Sequence, residues 1–129
     1  MHAFWGVPSI RYLDLSENNI SSVMDHNFRG LVNLLELKLD DNRISRLQVA
    51  VFKHLTELRA LSLQRNLLTE LAPRVFSKLS KLHVLKLSGN KLEDLDPEVF
   101  KDIPIEIAWS RVYSVRVKDL RSPVLSATL

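Results

Sequence analysis

The chain has 129 residues, 46% hydrophobic and 26% charged, an ordinary balance for one globular domain. Its formal charge is only +3, and Arg111, Arg116, Lys118 and Arg121 against Glu106 and Asp119 place +2 of that in residues 104–129, leaving too little elsewhere to suggest nucleic acid. There is no cysteine, so disulfides, thiolate metal sites and a cysteine nucleophile are excluded, and no apolar run approaches the ~18 to 20 residues of a transmembrane helix.

The chain opens MHAFWGVPSI, which lacks the basic start and leucine-rich stretch of a signal peptide. A pattern then begins at Ile10, Leu13, Leu15, Asn18, Ile20, Val23, Phe28 and Leu31. It returns 24 residues on at Leu34, Leu37, Leu39, Asn42, Ile44, Leu47, Phe52 and Leu55. It returns again at Leu58, Leu61, Leu63, Asn66, Leu68, Leu71, Phe76 and Leu79, and once more at Leu82, Leu85, Leu87, Asn90, Leu92, Leu95, Phe100 and Ile103. Eight positions hold through four copies without a gap, which makes this a repeat array. Counting back from Phe28 and Leu31 reaches Phe4 and Val7. Residues 1–9 therefore read as the end of a preceding partial repeat, as in a fragment; the alternative is a short cap in which Phe4 and Trp5 cover the first strand.

Each copy has the same internal logic. In LLELKL, Leu37 and Leu39 point one way while Glu36, Lys38 and Asp40 point the other, which predicts a short half-buried strand. Strands recurring in one direction must pair in parallel, and stacking lets them share a core. Beyond the strand, a tight inward coil leaves backbone groups short of partners. An asparagine carries both the acceptor and the donors to satisfy them, so Asn18, Asn42, Asn66 and Asn90 are predicted to form a buried ladder. The phenylalanines are predicted to stack as a second spine on the far side. Pro73 and Pro97 keep any helix there to one or two turns.

After Ile103 the pattern fails. The next unit would need leucine-like residues at positions 106, 109 and 111, where Glu106, Trp109 and Arg111 stand. Ile105, Ile107 and Trp109, then Tyr113, Val115 and Val117, alternate instead. That predicts either a strand or hairpin laid over the open end, anchored by Trp109, or a tail foreign to the array. The final RSPVLSATL reads as disordered. The organisation expected is residues 1–9 as an end piece, 10–103 as four repeats and 104–129 as a divergent tail.

The segment L-x-x-L-x-L-x-x-N-x-L, the 24-residue period and the phenylalanine closing each unit resemble the typical leucine-rich repeat of animal extracellular proteins. Toll-like receptor ectodomains, Slit proteins and insect cell-surface adhesion proteins carry such units. The plant-type L-x-G-x-I-P segment is absent. The resemblance spans residues 8–103. It implies an α/β leucine-rich repeat solenoid, with short parallel strands on the concave face and loops or short helical turns on the convex face. It further implies a non-enzymatic, cofactor-free, protein-binding module at the cell surface or outside the cell, serving adhesion or receptor recognition. Such arrays are usually closed by cysteine-bearing caps. A cysteine-free chain points either to a reducing compartment or to a piece without its caps. The alternative function is accordingly a cytoplasmic repeat scaffold that docks and regulates a partner.

In this fold the outward strand positions form columns: Tyr12, Glu36, Ala60, Val84; then Asp14, Lys38, Ser62, Lys86; then Ser16, Asp40, Gln64, Ser88. Two readings of this face stand. It is a solvated sheet surface, or it binds a protein ligand or co-receptor through Tyr12, Asp14, Glu36, Lys38, Asp40, Gln64, Val84 and Lys86. The aromatic Tyr12 and apolar Val84 tilt the reading to binding. The loop beyond adds Glu17, Asp41, Arg65 and Gly89. Arg29, Lys53, Ser77 and Lys101 form a convex column that reads as a solvated face. Asn19-Ile20-Ser21 is an N-glycosylation sequon, making Asn19 a candidate for a glycan. His2, His26, His54 and His83 show no ligand spacing, Asp40 and Asp41 lack the rest of a calcium loop, and no catalytic set or small-molecule site is expected. Uncapped cross-sections, with Ile10, Leu13, Leu15 and Phe28 in front and Leu85, Leu87, Leu92 and Phe100 behind, predict self-association through the ends.

Overall fold

The computed structural model describes residues 9–93, 95–101, 103 and 106–108. The partial repeat at residues 1–7, the Trp109 anchor and the tail from 109 onward lie outside the described residues. Among those described, β1 (Tyr12–Asp14), β2 (Glu36–Lys38), β3 (Ala60–Ser62), β4 (Val84–Lys86) and β5 (Glu106–Ala108) form a parallel sheet in sequence order. This is the predicted α/β solenoid. Register follows the repeat: Leu13 faces Leu37, Leu37 faces Leu61 and Leu61 faces Leu85, each a step of 24.

Why each strand is only three residues long follows from what comes next. Glu17, Asp41, Arg65 and Gly89, one per repeat, all take left-handed backbone with φ of 57°, 55°, 53° and 76°. That conformation cannot continue a strand, and it turns the chain inward. Backbone bonds bridge neighbouring repeats on both sides of the turn: Leu39 N–H donates to Ser62 O at 2.9 Å and Asp41 N–H to Gln64 O at 3.0 Å.

The asparagines then close the coil. Asn42 Nδ2 donates to Leu15 O, Leu39 O and Asp40 O, each at 3.0 Å, while its Oδ1 accepts from Asn18 N–H at 3.2 Å and Ile20 N–H at 3.1 Å. Asn66 repeats this, donating to Leu39 O, Leu63 O and Gln64 O and accepting from Ile44 N–H. Asn90 donates to Leu63 O and Leu87 O and accepts from Leu68 N–H. The first rung departs from the expected buried ladder. Asn18 is exposed and its amide holds only Leu15 O and Ser16 O of its own turn. The other rungs reach back 22 to 27 residues, and for Asn18 such a span leaves the described residues.

On the convex side, Phe28 and Phe52 stand 5.9 Å apart between ring centroids, and Phe52 and Phe76 stand 6.1 Å apart and nearly parallel. Both geometries lie within the range that favours aromatic pairs. Around them the backbone makes single turns only. Asp25–Phe28 and Pro97–Phe100 are 3₁₀ turns. Asn27 Oδ1 accepts Met24 N–H at 2.8 Å before the first, and Asp96 Oδ1 accepts Glu98 N–H at 2.9 Å at the start of the second. A side-chain acceptor at that point replaces the helical carbonyl that a first turn lacks.

Two expectations about the ends are corrected. Leu85, Leu87 and Leu92 have no exposed surface, and Phe100 is 8% exposed, so the rear cross-section is not open. There β5 pairs in parallel with β4 and extends the sheet by one strand, in line with the strand alternative; a hairpin turning near Ser110 would lie outside the described residues. Its register sets Leu85 against Ile107, a step of 22 where the earlier strands step by 24. In front, Ile10, Leu13 and Leu15 are half-buried, but Phe28, packed on Phe52, is fully buried.

Successive repeats are also tied by surface ion pairs: Lys53 to Asp25 at 3.0 Å, Lys81 to Glu57 at 2.8 Å, Arg74 to Glu98 at 3.2 Å, and Arg65 to Asp41 through two bonds of 2.7 and 3.0 Å. Of the convex basic column, Lys53 is thus paired, and Lys101 lies 3.8 Å from Glu98. The bonded cations Lys53, Arg65 and Lys81 hold the carboxyls of Asp25, Asp41 and Glu57 below their ordinary values. A carboxyl depressed by folding contributes stability that is complete above its unfolded value of about 4 and disappears as pH falls through the folded one. Acid unfolding should therefore be less steep below about pH 4 in Asp41→Asn than in the parent chain. Urea midpoints measured across that range check this; identical pH dependence would show that the Arg65 pair is energetically silent, as many exposed pairs are.

Candidate ligand-binding face

The sheet register sets the candidate residues in rows. Tyr12, Glu36, Ala60 and Val84 stand side by side, as do Asp14, Lys38, Ser62 and Lys86. Alternation along each strand sends Leu13, Leu37, Leu61 and Leu85 to the core and these two rows to the concave surface. Backbone pairing holds them on a scaffold that does not need to be ordered when a partner arrives.

Tyr12 is 69% exposed, the most open large apolar side chain among the described residues. Around it, Leu13, Asp14, Glu36 and Lys38 form a shallow depression of about 190 Å³. A second and larger concavity of about 370 Å³ lies over β2 to β4. Ala60, the smallest member of its row, is in its lining. Lys38 lies 4.0 Å from Glu36. Lys86 is exposed, and among the described residues no carboxylate stands within ion-pair distance of it.

The third column behaves differently from the first two. Asp40, expected as an outward contact residue, is 9% exposed and Ser88 7%, and Ser62 of the second column, beside them, is 6% exposed. Ser62 Oγ and Gln64 N–H both donate to Asp40 Oδ1; Gln64 Nε2 donates to Ser62 Oγ at 3.3 Å; Ser88 Oγ donates to Gln64 Oε1 at 2.7 Å. These side chains stand where the chain begins to curl inward, so they bond one another in a line across three repeats. Asp40 and Gln64 are thus the floor of the concavity and its fixed polar edge. The signal was present in the sequence: acceptor and donor side chains alternate in that column at the repeat spacing. Pairing them needed the knowledge that the column turns inward, which the left-handed residues decide.

Asn19 and Ser21 of the sequon are both exposed on the loop after β1, away from the two rows. Among the described residues no group of three or more His, Asp or Glu side chains could hold a metal ion. No helix among them is long and apolar enough to cross a membrane.

Comparison with known proteins agrees with this geometry. No curated protein matches the chain. Among solved structures, the TLR13–ssRNA13 complex is similar over 89% of this chain, with a TM-score of 0.78 and 28% identity. The Toll–Spatzle complex of Drosophila is similar over 80%, with a TM-score of 0.69 and 22% identity, and its glycosylated form over 84%, with a TM-score of 0.66 and 20% identity. This chain spans only 15%, 18% and 20% of the lengths of those three. The family model for the leucine rich repeat matches residues 8–68, 33–92 and 56–105, in overlapping sets that follow the strands and asparagine turns described above. The chain belongs to the leucine rich repeat family.

Proposed function

We propose that this chain is a ligand-recognition segment of a cell-surface or extracellular leucine rich repeat protein, and that it binds a protein partner on its concave face. The observation that carries the reading is the exposed Tyr12 held on a rigid sheet beside Asp14, Glu36 and Lys38. Interface anchors are enriched in aromatic side chains on preorganised surfaces. Val84, Gln64 and Lys86 extend the same surface over the next two repeats. The likeness to Toll in complex with Spatzle supports a protein partner. It also supports a place outside the cell, where Asn19 would carry a glycan clear of the binding rows.

Changing Tyr12, Lys38 and Lys86 together is expected to weaken partner binding at least tenfold. Changing Arg29, Lys53 and Lys101 together is expected to leave it within twofold. Surface-displayed chain, used to capture partners from cell-surface extracts and then titrated with the purified partner, gives both numbers. Loss of binding in the convex triple alone would place the site on the wrong face.

A single-stranded RNA partner is the second reading, favoured by the likeness to the TLR13–ssRNA13 complex. It predicts affinity that falls steeply with salt. The concave rows offer two lysines beside Asp14 and Glu36, a weak match to a continuous phosphate chain, so the protein reading is preferred.

A further inference from the structure

The two concave lysines have an arrangement that defines one feature of the partner. In register, Lys38 pairs with Ser62 and Ser62 with Lys86, so the lysines stand on either side of one serine, two strand spacings or about 10 Å apart. Between them the row above drops to Ala60, flanked by Glu36 and Val84, and the 370 Å³ concavity opens there. That volume suits one side chain and its immediate backbone. Ser62 between the lysines carries no charge, and the carboxylate of Asp40, which also lines the concavity, is already bonded by Ser62 Oγ and Gln64 N–H. Lys86 has no carboxylate partner among the described residues, and Lys38 has only the 4.0 Å contact with Glu36.

We infer that the concavity over Ala60 receives one aspartate or glutamate side chain of an extended segment in the protein partner, clamped between Lys38 and Lys86. This rests on the proposed concave-face reading and specifies its chemistry. Charge complementarity fixes the polarity of the bound segment as well. Its carboxylate lies over β3 on the Lys86 side, and residues that pass Glu36 at the β2 wall and reach Asp14 on β1 meet carboxylates, which favour a basic or neutral group. A phosphate chain would satisfy the lysines but would carry further negative charge over Asp14 and Glu36. A single carboxylate avoids that repulsion.

Three nine-residue polyserine peptides separate the cases, each with one central substitution, a glutamate (Glu-Ser), a lysine (Lys-Ser) or a glutamine (Gln-Ser), titrated into the full 129-residue chain and followed by backbone amide NMR. The Glu-Ser peptide is expected to shift the amides of Lys38, Ser62 and Lys86, with at least tenfold weaker binding in Lys86→Glu. Ala60→Leu, which leaves charge unchanged and fills the concavity, should weaken it as much. Tyr12 and Val84 in the same row show that the sheet surface carries larger side chains. A shift of those amides by the Lys-Ser or Gln-Ser peptide instead would overturn the acidic clamp while leaving concave binding standing. No shift with any peptide also overturns the clamp, and the triple-variant test above then judges the face by itself. Tighter binding of oligouridylate than of the Glu-Ser peptide at the same amides overturns it in favour of phosphate.

Discussion

Phe52→Ala is expected to cost about 3–5 kcal/mol, the range for truncating a buried aromatic whose site cannot collapse. The site cannot collapse here because Phe52, only 1% exposed, is held from both sides, by Phe28 at 5.9 Å and Phe76 at 6.1 Å. Losing the middle ring removes both ring contacts and opens a void between repeats. Total stability of a domain this small is about 5–15 kcal/mol. The loss therefore approaches the whole, and it falls on the nearest-neighbour coupling that holds a repeat array together. Urea unfolding by circular dichroism should show a much lower midpoint, or two separate transitions as the halves uncouple. A midpoint within experimental error of the parent would mean that the phenylalanine spine is packing filler.

Asn42→Asp should be the second most damaging change, at about 3 kcal/mol or more. The Asn42 amide nitrogen donates to three carbonyl oxygens, each at 3.0 Å, in a residue 6% exposed. A carboxylate of the same shape would set a negative oxygen against those three acceptors and take one donor from each. Lys38→Asp, on the open face, should stay within about 0.5 kcal/mol. Asn18→Asp provides the sharper control. Asn18 has the same place in its repeat but is exposed and holds only its own turn, so water can replace what it loses. Equal urea midpoints for the Asn42 and Lys38 variants would defeat the ladder argument.

The parts of this fold that were legible in the sequence are those that repeat. Leu37, Asn42 and Phe52 each recur at one spacing, and a spacing with a chemistry attached determines strand, coil and spine together. The strand β5 was legible from the alternation of Ile105 and Ile107, but its parallel pairing with β4 was not, because it leaves the 24-residue spacing. Backbone hydrogen bonds join the two strands whatever side chains they carry, so the period does not mark the partner. Asp40 was misplaced for a related reason. Strict alternation sends it outward, but the left-handed Asp41 that follows begins the inward turn, and no side-chain pattern announces a positive φ in an aspartate. The dip at Ala60 was visible as a residue, but its meaning depended on which neighbours stand beside it. The partner itself lies outside what periodicity can encode, since the outward rows are the positions the repeat leaves free.

The lateral bonds between repeats have one further consequence. Asn42 to Leu15, Asn66 to Leu39 and Asn90 to Leu63 all span the same 27 positions. None of them depends on which repeat it joins. Duplicating one whole unit in the gene, or deleting one, gives a chain in which every asparagine still finds a carbonyl at the correct distance. Gain or loss of a single residue within a coil shifts every bond on one side of it at once. The molecule is therefore permissive to change in whole units and brittle to change in single residues. Lengthening the concave surface by recombination, repeat by repeat, is the route this architecture leaves open to a protein acquiring a new ligand.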